Sequence, residues 1–458
     1  MNVVLISTYE LGRQPFGLAS PAAWLREAGA HVTCLDLAVE RFDDDAVAAA
    51  DVIAFYVPMH TATRLAASVL ARVKRLNPVA HCCFYGLYAP VNEEYLRALG
   101  ADTILGGEFE TGLVSLVRRL ADSGVGKSDP QPEPAIALTR QQFRVPDRDG
   151  LPALDRYAHV TLPDGSARVV GYTEASRGCK NLCRHCPIVP VYGGRFFVVQ
   201  PDVVLEDIAR QVAAGAAHIT FGDPDFFNGP THAMRIVEAL HRRFPRVTYD
   251  VTIKVEHLLK HARHLPALRD TGCLFVTSAV EAVDDRILEI FDKRHTRADF
   301  ARVVALFRET RLHLNPTFVT FNPWISLAGY RDLLATIAAL DLVGNVSPIQ
   351  YAIRLLIPRG SRLLELSLVQ EFVGDFDPEA MVYPWTHPDP RLDRLHAEIL
   401  AAVSSNQDGT EDRYAMFGKV WALTQAAGDL PLSDSFALAA RGTTRREPIP
   451  HLSEPWYC

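Results

Sequence analysis

Short apolar segments that alternate with helical segments constrain the fold of this chain more than any other feature. Five apolar segments between Val3 and Leu105 predict strands, and the residues between them, such as 63–76, predict helices. Strands that alternate with helices in this way form a parallel sheet that is covered by helices on both faces. A ligand crevice is expected beyond the carboxyl ends of these strands.

The alternation stops over residues 121–168, which are rich in Gly, Pro and Asp, and then resumes. Such a composition breaks regular elements, so we interpret this stretch as an interdomain linker. Six further units of strand, loop and helix run from Val169 to Leu355 and predict most of a parallel barrel, whose chemistry is expected at the carboxyl ends of its strands. The predicted α/β fold comprises a doubly wound, Rossmann-like amino-terminal domain (1–120), the linker (121–168), a partial (β/α)6 barrel (169–360), a small mainly helical extension (361–440) and an extended tail (441–458).

Composition and charge narrow the classes of function. Of the 458 residues, 48% are hydrophobic and 22% are charged, as is typical of soluble globular proteins. The formal net charge of -7 at pH 7 favours no polyanionic partner, so nucleic acid is not implied. No apolar run approaches the roughly 20 residues that span a bilayer. The eight cysteines do not resemble a disulfide framework, so we expect a cytoplasmic protein without a membrane partner.

Three cysteines in the segment Ser176–Pro187 form a candidate metal site. Cys179, Cys183 and Cys186 are separated by three and then by two residues. A structural zinc ion is closed by four ligands, and these three cysteines have no obvious fourth ligand. Thiolates also hold iron-sulfur clusters, and three of them leave one iron open for a reacting group. Zinc with a remote fourth ligand, or three unrelated core thiols, are the alternatives.

The same segment, in which Ser-Arg-Gly precedes the C-x3-C-x2-C spacing, closely resembles the cluster loop of the radical S-adenosylmethionine (SAM) enzymes. The resemblance implies that Cys179, Cys183 and Cys186 hold a [4Fe-4S] cluster whose fourth iron binds SAM. It also implies reductive cleavage of SAM to a 5'-deoxyadenosyl radical and an electron donor such as a flavodoxin or a ferredoxin. The residue before the last cysteine is usually aromatic in this family, whereas here it is His185.

Polar residues near the ends of the predicted barrel strands are candidates for binding SAM. The segment from Phe221 to Phe226 resembles the second-strand motif of the family, which accepts hydrogen bonds from the methionyl ammonium group. Ser278 and Glu281 resemble the fourth-strand motif of the family. The chemistry of SAM also suits a cation, for which Lys254 is a candidate, and a further hydrogen-bond acceptor, for which Glu256 is a candidate. The candidate residues are Gly222, Asp223, Asp225, Lys254, Glu256, Ser278 and Glu281. The alternative for the aspartates is that they cap a helix. The alternative for Lys254 and Glu256 is that they are exposed charges in loops.

The amino-terminal domain resembles the cobalamin-binding-like domain that precedes many radical SAM barrels. The resemblance rests on the segment 15–18, on Asp36 and on the segment 106–110. The Asp-x-His-x-x-Gly motif that supplies the axial histidine in some cobalamin proteins is absent. Relatives of this kind often hold cobalamin without a protein ligand, so the resemblance still implies a cobalamin site. His60 and His81 stand near predicted strand ends, where exposed or hydrogen-bonded histidines are the alternative to cobalt ligands.

The sequence ends with Ser453-Glu454-Pro455-Trp456-Tyr457-Cys458. A radical SAM group with this two-domain plan has proteins that end in Cys-Cys-Ala-Glu-Pro, or in the same motif with selenocysteine in second place. The present ending resembles that tail with everything after its first cysteine missing. A selenocysteine codon that is read as a stop codon would produce such an ending. The resemblance makes the protein a candidate selenoprotein and Cys458 a candidate redox residue. A terminal cysteine without a role is the alternative.

These features together predict a radical SAM enzyme that acts on an unidentified small molecule or peptide. If cobalamin is bound, methyl transfer is the leading reaction; otherwise rearrangement, sulfur insertion and peptide modification stay open. Two alternatives come from other classes of protein. The first is a metal-sensing or redox-sensing protein with a structural three-cysteine site, and the second is a carrier whose functional group is Cys458.

Overall fold

The computed structural model describes residues 1–123, 131–406, 412–428 and 449–454. Two separate parallel sheets dominate the described chain, one on each side of the predicted linker. None of the helices in these four ranges combines the length and the apolar character that a membrane span requires.

The first sheet carries its strands in the order β2-β1-β3-β4-β5-β6, and all neighbouring strands run parallel. The elements are β1 (Asn2–Ser7), α1 (Phe16–Glu27), β2 (His31–Asp36), α2 (Asp44–Ala48), β3 (Val52–Tyr56), α3 (His60–Leu76), β4 (His81–Tyr85), α4 (Tyr88–Val91), α5 (Glu93–Ala98), β5 (Thr103–Gly107), α6 (Glu110–Ser123) and β6 (Ile136–Ala137). The five predicted strands are present. The chain crosses over beside β1, so the ligand crevice of this sheet lies between the ends of β1 and β3.

The second sheet is a curled half-barrel. The elements up to its fifth parallel strand are β7 (His159–Thr161), β8 (Ala167–Thr173), β9 (Ser176–Gly178), α7 (Val189–Tyr192), β10 (Phe196–Val198), α8 (Pro201–Ala213), β11 (His218–Phe221), α9 (Pro230–Arg243), β12 (Thr248–Thr252), α10 (Val255–Lys260), α11 (Leu265–Asp270), β13 (Cys273–Glu281), α12 (Asp285–Ile290), α13 (Arg297–Thr310) and β14 (His313–Phe318). Strands β8, β11, β12, β13 and β14 run parallel. Their carboxyl ends therefore meet at one mouth, as the sequence predicts.

The prediction of a sixth barrel strand over Ile349–Leu355 is wrong. The structure has a 3-10 turn over Pro348–Tyr351 and a single bridge between Phe321 and Arg354 instead. Pro348, at the start of this turn, has no N–H group to donate to a neighbouring strand. The N–H group of Phe318 donates to the side chain of Gln350, at 2.8 Å from its Oε1 atom. A side chain thus takes the position of a strand carbonyl.

The described elements that follow β14 are mainly helical. They are α14 (Leu327–Ala339), α15 (Ser367–Gln370), α16 (Pro390–Ser404), α17 (Arg413–Gly428) and β15 (His451–Leu452). The predicted linker contributes to both sheets, because β6 extends the first and β7 pairs with β8 of the second. The boundaries at residues 120, 168, 360 and 440 stay predictions.

A buried carboxyl in the first sheet should make stability depend on pH. Asp36 accepts a hydrogen bond from the Tyr157 hydroxyl at 2.9 Å, and burial raises its pKa from 3.8 to about 6. Because the folded state holds this proton more tightly than the unfolded state, stability falls as pH rises from about 4 to 6. At about 1.4 kcal/mol per pKa unit, the change is roughly 2–3 kcal/mol. In urea unfolding, the Asp36→Asn variant should lose this dependence; an unchanged pH profile would contradict the assignment.

Candidate active site

The cysteine loop starts at the end of the short strand β9 and lies over the mouth of the barrel. Cys179 and Cys183 are buried, Cys186 is half-buried, and all three are free thiols. The backbone N–H and the Nδ2 group of Asn181 both lie 3.5 Å from Cys179 Sγ. Burial raises the pKa of the Cys179 thiol, and these hydrogen bonds from Asn181 oppose that rise because they stabilise a thiolate.

The thiols influence one another. Burial, together with the neighbouring Cys183 thiol, raises the pKa of Cys186 to about 12. A cationic group that binds all three sulfurs removes this cost of ionisation. Within the described ranges, no group of three or more His, Cys, Asp or Glu side chains is arranged to hold a single metal ion. A structural zinc ion takes four ligands, whereas three thiolates can each bind a different iron of a cluster.

Asp223 stabilises the start of the cysteine loop. Its Oδ1 accepts a hydrogen bond from the Ser176 hydroxyl at 2.5 Å, and its Oδ2 accepts one from the Ala175 N–H at 2.9 Å. Burial raises the pKa of Asp223 to about 7. Both carboxylate oxygens are thus engaged by the chain itself, which favours a positioning role for the residue that the sequence placed first among the ammonium acceptors.

Asp225 and Lys254 connect the cysteine loop to the barrel mouth. Asp225 caps the 3-10 turn after β11, as the alternative prediction stated, and its Oδ2 lies 2.6 Å from His257 Nδ1. Lys254 Nζ donates to Asn181 Oδ1 at 3.0 Å and lies 3.4 Å from Glu256. Lys254 is buried, whereas 31% of the surface of the Glu256 side chain is exposed to solvent. A buried ammonium beside the cysteine loop is suitably placed for a carboxylate ligand.

Glu281 ends β13 and forms a buried charged group with two partners. Its Oε1 lies 3.2 Å from Lys293 Nζ and 3.2 Å from His185 Nε2. Although burial alone would raise it, Lys293 and His185 hold the pKa of Glu281 at about 2. The His185 ring packs on Phe291 with centroids 4.5 Å apart. The histidine that replaces the usual aromatic residue is therefore fixed in place from both sides.

Several polar atoms at the barrel mouth are buried and lack a hydrogen-bond partner among the described residues. They are Ser278 Oγ, Thr317 Oγ1, Asn228 Nδ2 and both ring nitrogens of His295. Buried polar groups in folded proteins are normally paired, so such a group of unpaired atoms fits a polar ligand. Of these residues, the sequence indicated only Ser278. No spacing signal points to His295, which follows a loop after α12.

A second candidate site is a cavity of about 210 Å³ between the two sheets. Residues after β1 and β3, such as Glu10 and Met59, form one wall. Tyr172 and Glu174 at the end of β8, together with Gly222 after β11, form the other. The cavity therefore lies where the carboxyl ends of both sheets face each other, as the crevice rule predicts.

Arg177 joins the two sheets beside this cavity, a role that no sequence pattern indicated. Its guanidinium lies 2.7 Å from Glu110, 2.7 Å from Glu174 and 3.5 Å from Glu108. Burial raises the pKa of Glu108 to about 7, whereas Arg177 lowers that of Glu110 despite its burial. Glu108 and Glu110 follow β5 of the first sheet, while Arg177 lies in β9, which leads directly into the cysteine loop. One buried cation thus ties the first sheet to the candidate cluster site.

The remaining candidates have structural partners. His60 Nε2 lies 2.6 Å from the Ala380 carbonyl, and His81 Nε2 lies 2.8 Å from Thr103 Oγ1, so both histidines are engaged away from the cavity. Cys458 lies outside the described residues.

Gly222 illustrates how closely the mouth is packed. An added Cβ there would overlap the Tyr172 hydroxyl. We expect Gly222→Ala to destabilise the protein by about 1–3 kcal/mol in urea unfolding, because overpacking displaces the ring. Gly418→Ala is the matched control, because nothing lies within 4 Å of its added Cβ and helix propensity favours alanine by up to about 1 kcal/mol. Equal stabilities for the two variants would contradict this packing.

The comparisons with known proteins agree with this geometry. The radical SAM superfamily matches residues 173–323. The hopanoid C-3 methylase of Methylococcus capsulatus (strain Bath) is 27% identical over 296 residues, which are 61% of this chain and 56% of that protein. A tRNA-2-methylthio-N(6)-dimethylallyladenosine synthase of Desulfosudis oleivorans is 26% identical over 183 residues, which are 38% of this chain and 39% of that protein. The chain thus matches about half or less of the length of these relatives.

Two solved structures share the whole two-sheet architecture. The cobalamin-dependent SAM radical enzyme OxsB, with aqua-cobalamin and SAM bound, superposes with a TM-score of 0.72 at 13% identity, over 96% of this chain and 74% of that one. The radical SAM methyltransferase TsrM from Kitasatospora setae, with tryptophan and a SAM analogue bound, superposes with a TM-score of 0.68 at 15% identity, over 96% of this chain and 100% of that one. At these identities the likeness shows the fold. The superfamily match shows a radical SAM domain over residues 173–323, a type of domain that implies a [4Fe-4S] cluster and SAM, and the two solved structures show that the fold around it resembles that of cobalamin-dependent radical SAM enzymes.

Proposed function

We propose that the protein is a cobalamin-dependent radical SAM methyltransferase. Cys179, Cys183 and Cys186 hold the cluster, SAM binds beside it at the barrel mouth, and cobalamin binds in the cavity between the sheets. The observation that carries the proposal is the position of this cavity, which adjoins the cysteine loop and the carboxyl ends of both sheets. The hopanoid methylase and the two cobalamin-type folds support the same class of reaction.

The cavity has the chemistry that a large, mainly apolar ring with polar substituents requires. Its walls include the side chains of Phe16, Tyr56 and Tyr172, which offer flat apolar surfaces. Glu10 Oε2 and Arg13 Nε are buried there without a partner among the described residues. The cavity is only partly enclosed, so a ligand larger than about 210 Å³ can extend beyond it. These features fit cobalamin held by contacts with the corrin ring instead of an axial histidine.

When bound, the cluster supplies one electron to SAM, and cobalamin supplies a carrier for its methyl group. The chain's own residues bind, orient and shield. Asn181 stabilises the Cys179 sulfur and holds Lys254, which is positioned for the carboxylate of SAM. The unpaired Ser278 hydroxyl and His295 ring offer hydrogen bonds to the rest of SAM. The aromatic wall of the cavity would shield one side of a bound cobalamin from water.

Cobalamin binding tests the proposal directly. The parent protein should bind one equivalent of hydroxocobalamin in equilibrium dialysis, with a change in its visible spectrum. Leu87 lines the cavity, so Leu87→Trp should weaken binding by at least about tenfold because the larger ring fills the space. Leu99→Trp is the control, since Leu99 is 39% exposed at the end of α5. Absence of binding by the parent, or equal affinities of the two variants, would contradict the cavity assignment.

The same proposal includes a small molecule or a peptide as the substrate, a flavodoxin or a ferredoxin as the electron donor, and a cytoplasmic location. Reduction of a low-potential cluster requires such a donor. Activity that depends on a reduced flavodoxin in an anaerobic assay would support this part, and activity without any reductant would contradict it.

A further inference from the structure

We propose that the concave face of the second sheet binds an ammonium group of the substrate, and that Asp250 of β12 holds this group below the barrel mouth. The substrate is then a small molecule or a peptide with a free amine. This assignment rests on the proposed function only in taking the bound molecule as the substrate. The residues that carry it belong to β11, β12, β13 and β14 of the barrel.

The two faces of the second sheet differ in polarity. Ile219, Val251 and Leu314 point outward, where they join the large apolar core that helices such as α9 and α13 cover. Successive side chains of a strand point to opposite faces, so the residues on either side of these three face the inside of the barrel. The inward-facing residues of the four strands are His218, Thr220, Thr248, Asp250, Thr252, Phe275, Thr277, Asn315 and Thr317. Eight of these nine side chains are polar, which fits a polar occupant.

Apolar side chains close the lower end of this face, away from the mouth. Val170 and Phe275 belong to a small buried apolar cluster. His218 pairs with Val170 in the register of β8 and β11, and its ring stacks on Phe275 with centroids 6.2 Å apart. Asp250 pairs with Thr220, two residues nearer to the carboxyl ends of the strands. Asp250 therefore lies between the apolar cluster and the barrel mouth.

The two carboxylate oxygens of Asp250 have different surroundings. The Thr220 hydroxyl donates to Oδ1 at 2.6 Å, and His218 Nε2 lies 2.9 Å from the same oxygen. His218 is held in turn by Thr248, whose Oγ1 lies 2.8 Å from Nδ1. Among the described residues, none donates a hydrogen bond to Oδ2, and 6% of the surface of the Asp250 side chain is exposed. A carboxylate that is fixed through one oxygen and open at the other is preorganised for an incoming donor.

Neighbouring polar groups extend the site toward the mouth. Thr317 Oγ1 on β14 is buried and has no partner among the described residues. Asn315 donates to Thr277 Oγ1 at 3.3 Å, and both Asn315 and Thr252 are partly exposed, so water reaches this part of the face. An ammonium group has three N–H donors and no acceptor. The free oxygen of Asp250 and the nearby hydroxyl and amide oxygens match this set of donors, and the negative charge favours a cation over a neutral alcohol.

A matched pair of fluorinated fragments tests the assignment in the reconstituted full-length protein. 4-Fluorobenzylamine carries an ammonium group at pH 7, whereas 4-fluorobenzyl alcohol has nearly the same shape without the charge. Titrations followed by fluorine NMR should show that the amine binds at least about tenfold more tightly than the alcohol. The preference for the amine should disappear in Asp250→Asn. The amide oxygen of this variant still accepts from Thr220, but its NH2 group presents a donor in place of Oδ2.

Asp270→Asn is the matched control, because the Asp270 side chain is 62% exposed on α11, and it should keep the parental preference for the amine. The affinity for the alcohol should be the same in all three proteins. Equal affinities of the parent for the two fragments, or an unchanged preference in Asp250→Asn, would overturn the proposal. Loss of both fragments in Asp250→Asn would also overturn it, since Asp250 would then support the sheet instead of the ligand. The titrations need no cobalamin, so absence of cobalamin binding would contradict the proposed function without changing this result.

Discussion

Replacement of Arg177 by Met is expected to destabilise the protein by about 3–5 kcal/mol, because it leaves three buried carboxyl groups without their cation. Glu108, Glu110 and Glu174 all lie within 3.5 Å of the guanidinium. The guanidinium also packs over the Phe143 ring at 5.0 Å, so its loss removes packing as well as charge. Urea unfolding at pH 7 measures the effect. The expected loss is a large fraction of the stability of a typical domain.

Arg144→Met is the matched control for this variant. Arg144 pairs with Glu27 and lies over the Trp24 ring, but this pair is exposed. Exposed ion pairs contribute no more than about 1 kcal/mol, so the control should stay close to the parent. If both variants lost the same small amount of stability, Arg177 would not tie the first sheet to the cysteine loop.

Replacement of Cys183 by Ala is expected to remove the cluster. The side chain is buried in the cysteine loop, where it lies close enough to Cys186 to raise the pKa of that thiol. Loss of one of three thiolates leaves an iron without a protein ligand, and the cluster is then readily lost. After anaerobic reconstitution, the iron and sulfide content should fall to less than about a tenth of the parental content, and the visible absorbance should disappear with it.

Cys82→Ala provides the comparison for that result. Cys82 is an equally buried free thiol, but it belongs to β4 of the first sheet. This variant should lose some stability through a small cavity and should keep its full iron and sulfide content. Equal cluster content in the two variants would assign the metal to other ligands, and zinc in place of iron and sulfide would favour the structural three-cysteine site.

The sequence predicted those parts of the fold that depend on local patterns. Buried β-branched and aromatic runs such as Val52–Tyr56 identify strands because their side chains pack on both faces of a parallel sheet. The predicted sixth barrel strand over Ile349–Leu355 was wrong because its apolar pattern does not reveal that Gln350 bonds to Phe318 through its side chain. A local pattern gives the propensity of a segment, whereas its hydrogen-bond partners depend on the tertiary fold.

The candidate site shows the same division. The three cysteines that we propose as cluster ligands were evident from their spacing, because they belong to one short loop. The role of Asp223 in binding SAM stays a prediction, and its observed partners Ser176 and Ala175 could not be read from the spacing. Arg177 and Glu108 are far apart in the chain, so their pairing across the two sheets carries no local signal. Long-range ion pairs of this kind emerge only when the sheets are placed together.

The decisive measurement is the fate of SAM in the anaerobically reconstituted, dithionite-reduced protein, followed by chromatography of the products. We predict 5'-deoxyadenosine from the protein with cluster, and S-adenosylhomocysteine in addition when cobalamin is bound. A stable, zinc-loaded protein that binds SAM without forming either product would contradict the radical SAM assignment. In that case the cysteine loop would be a structural metal site in a binding protein.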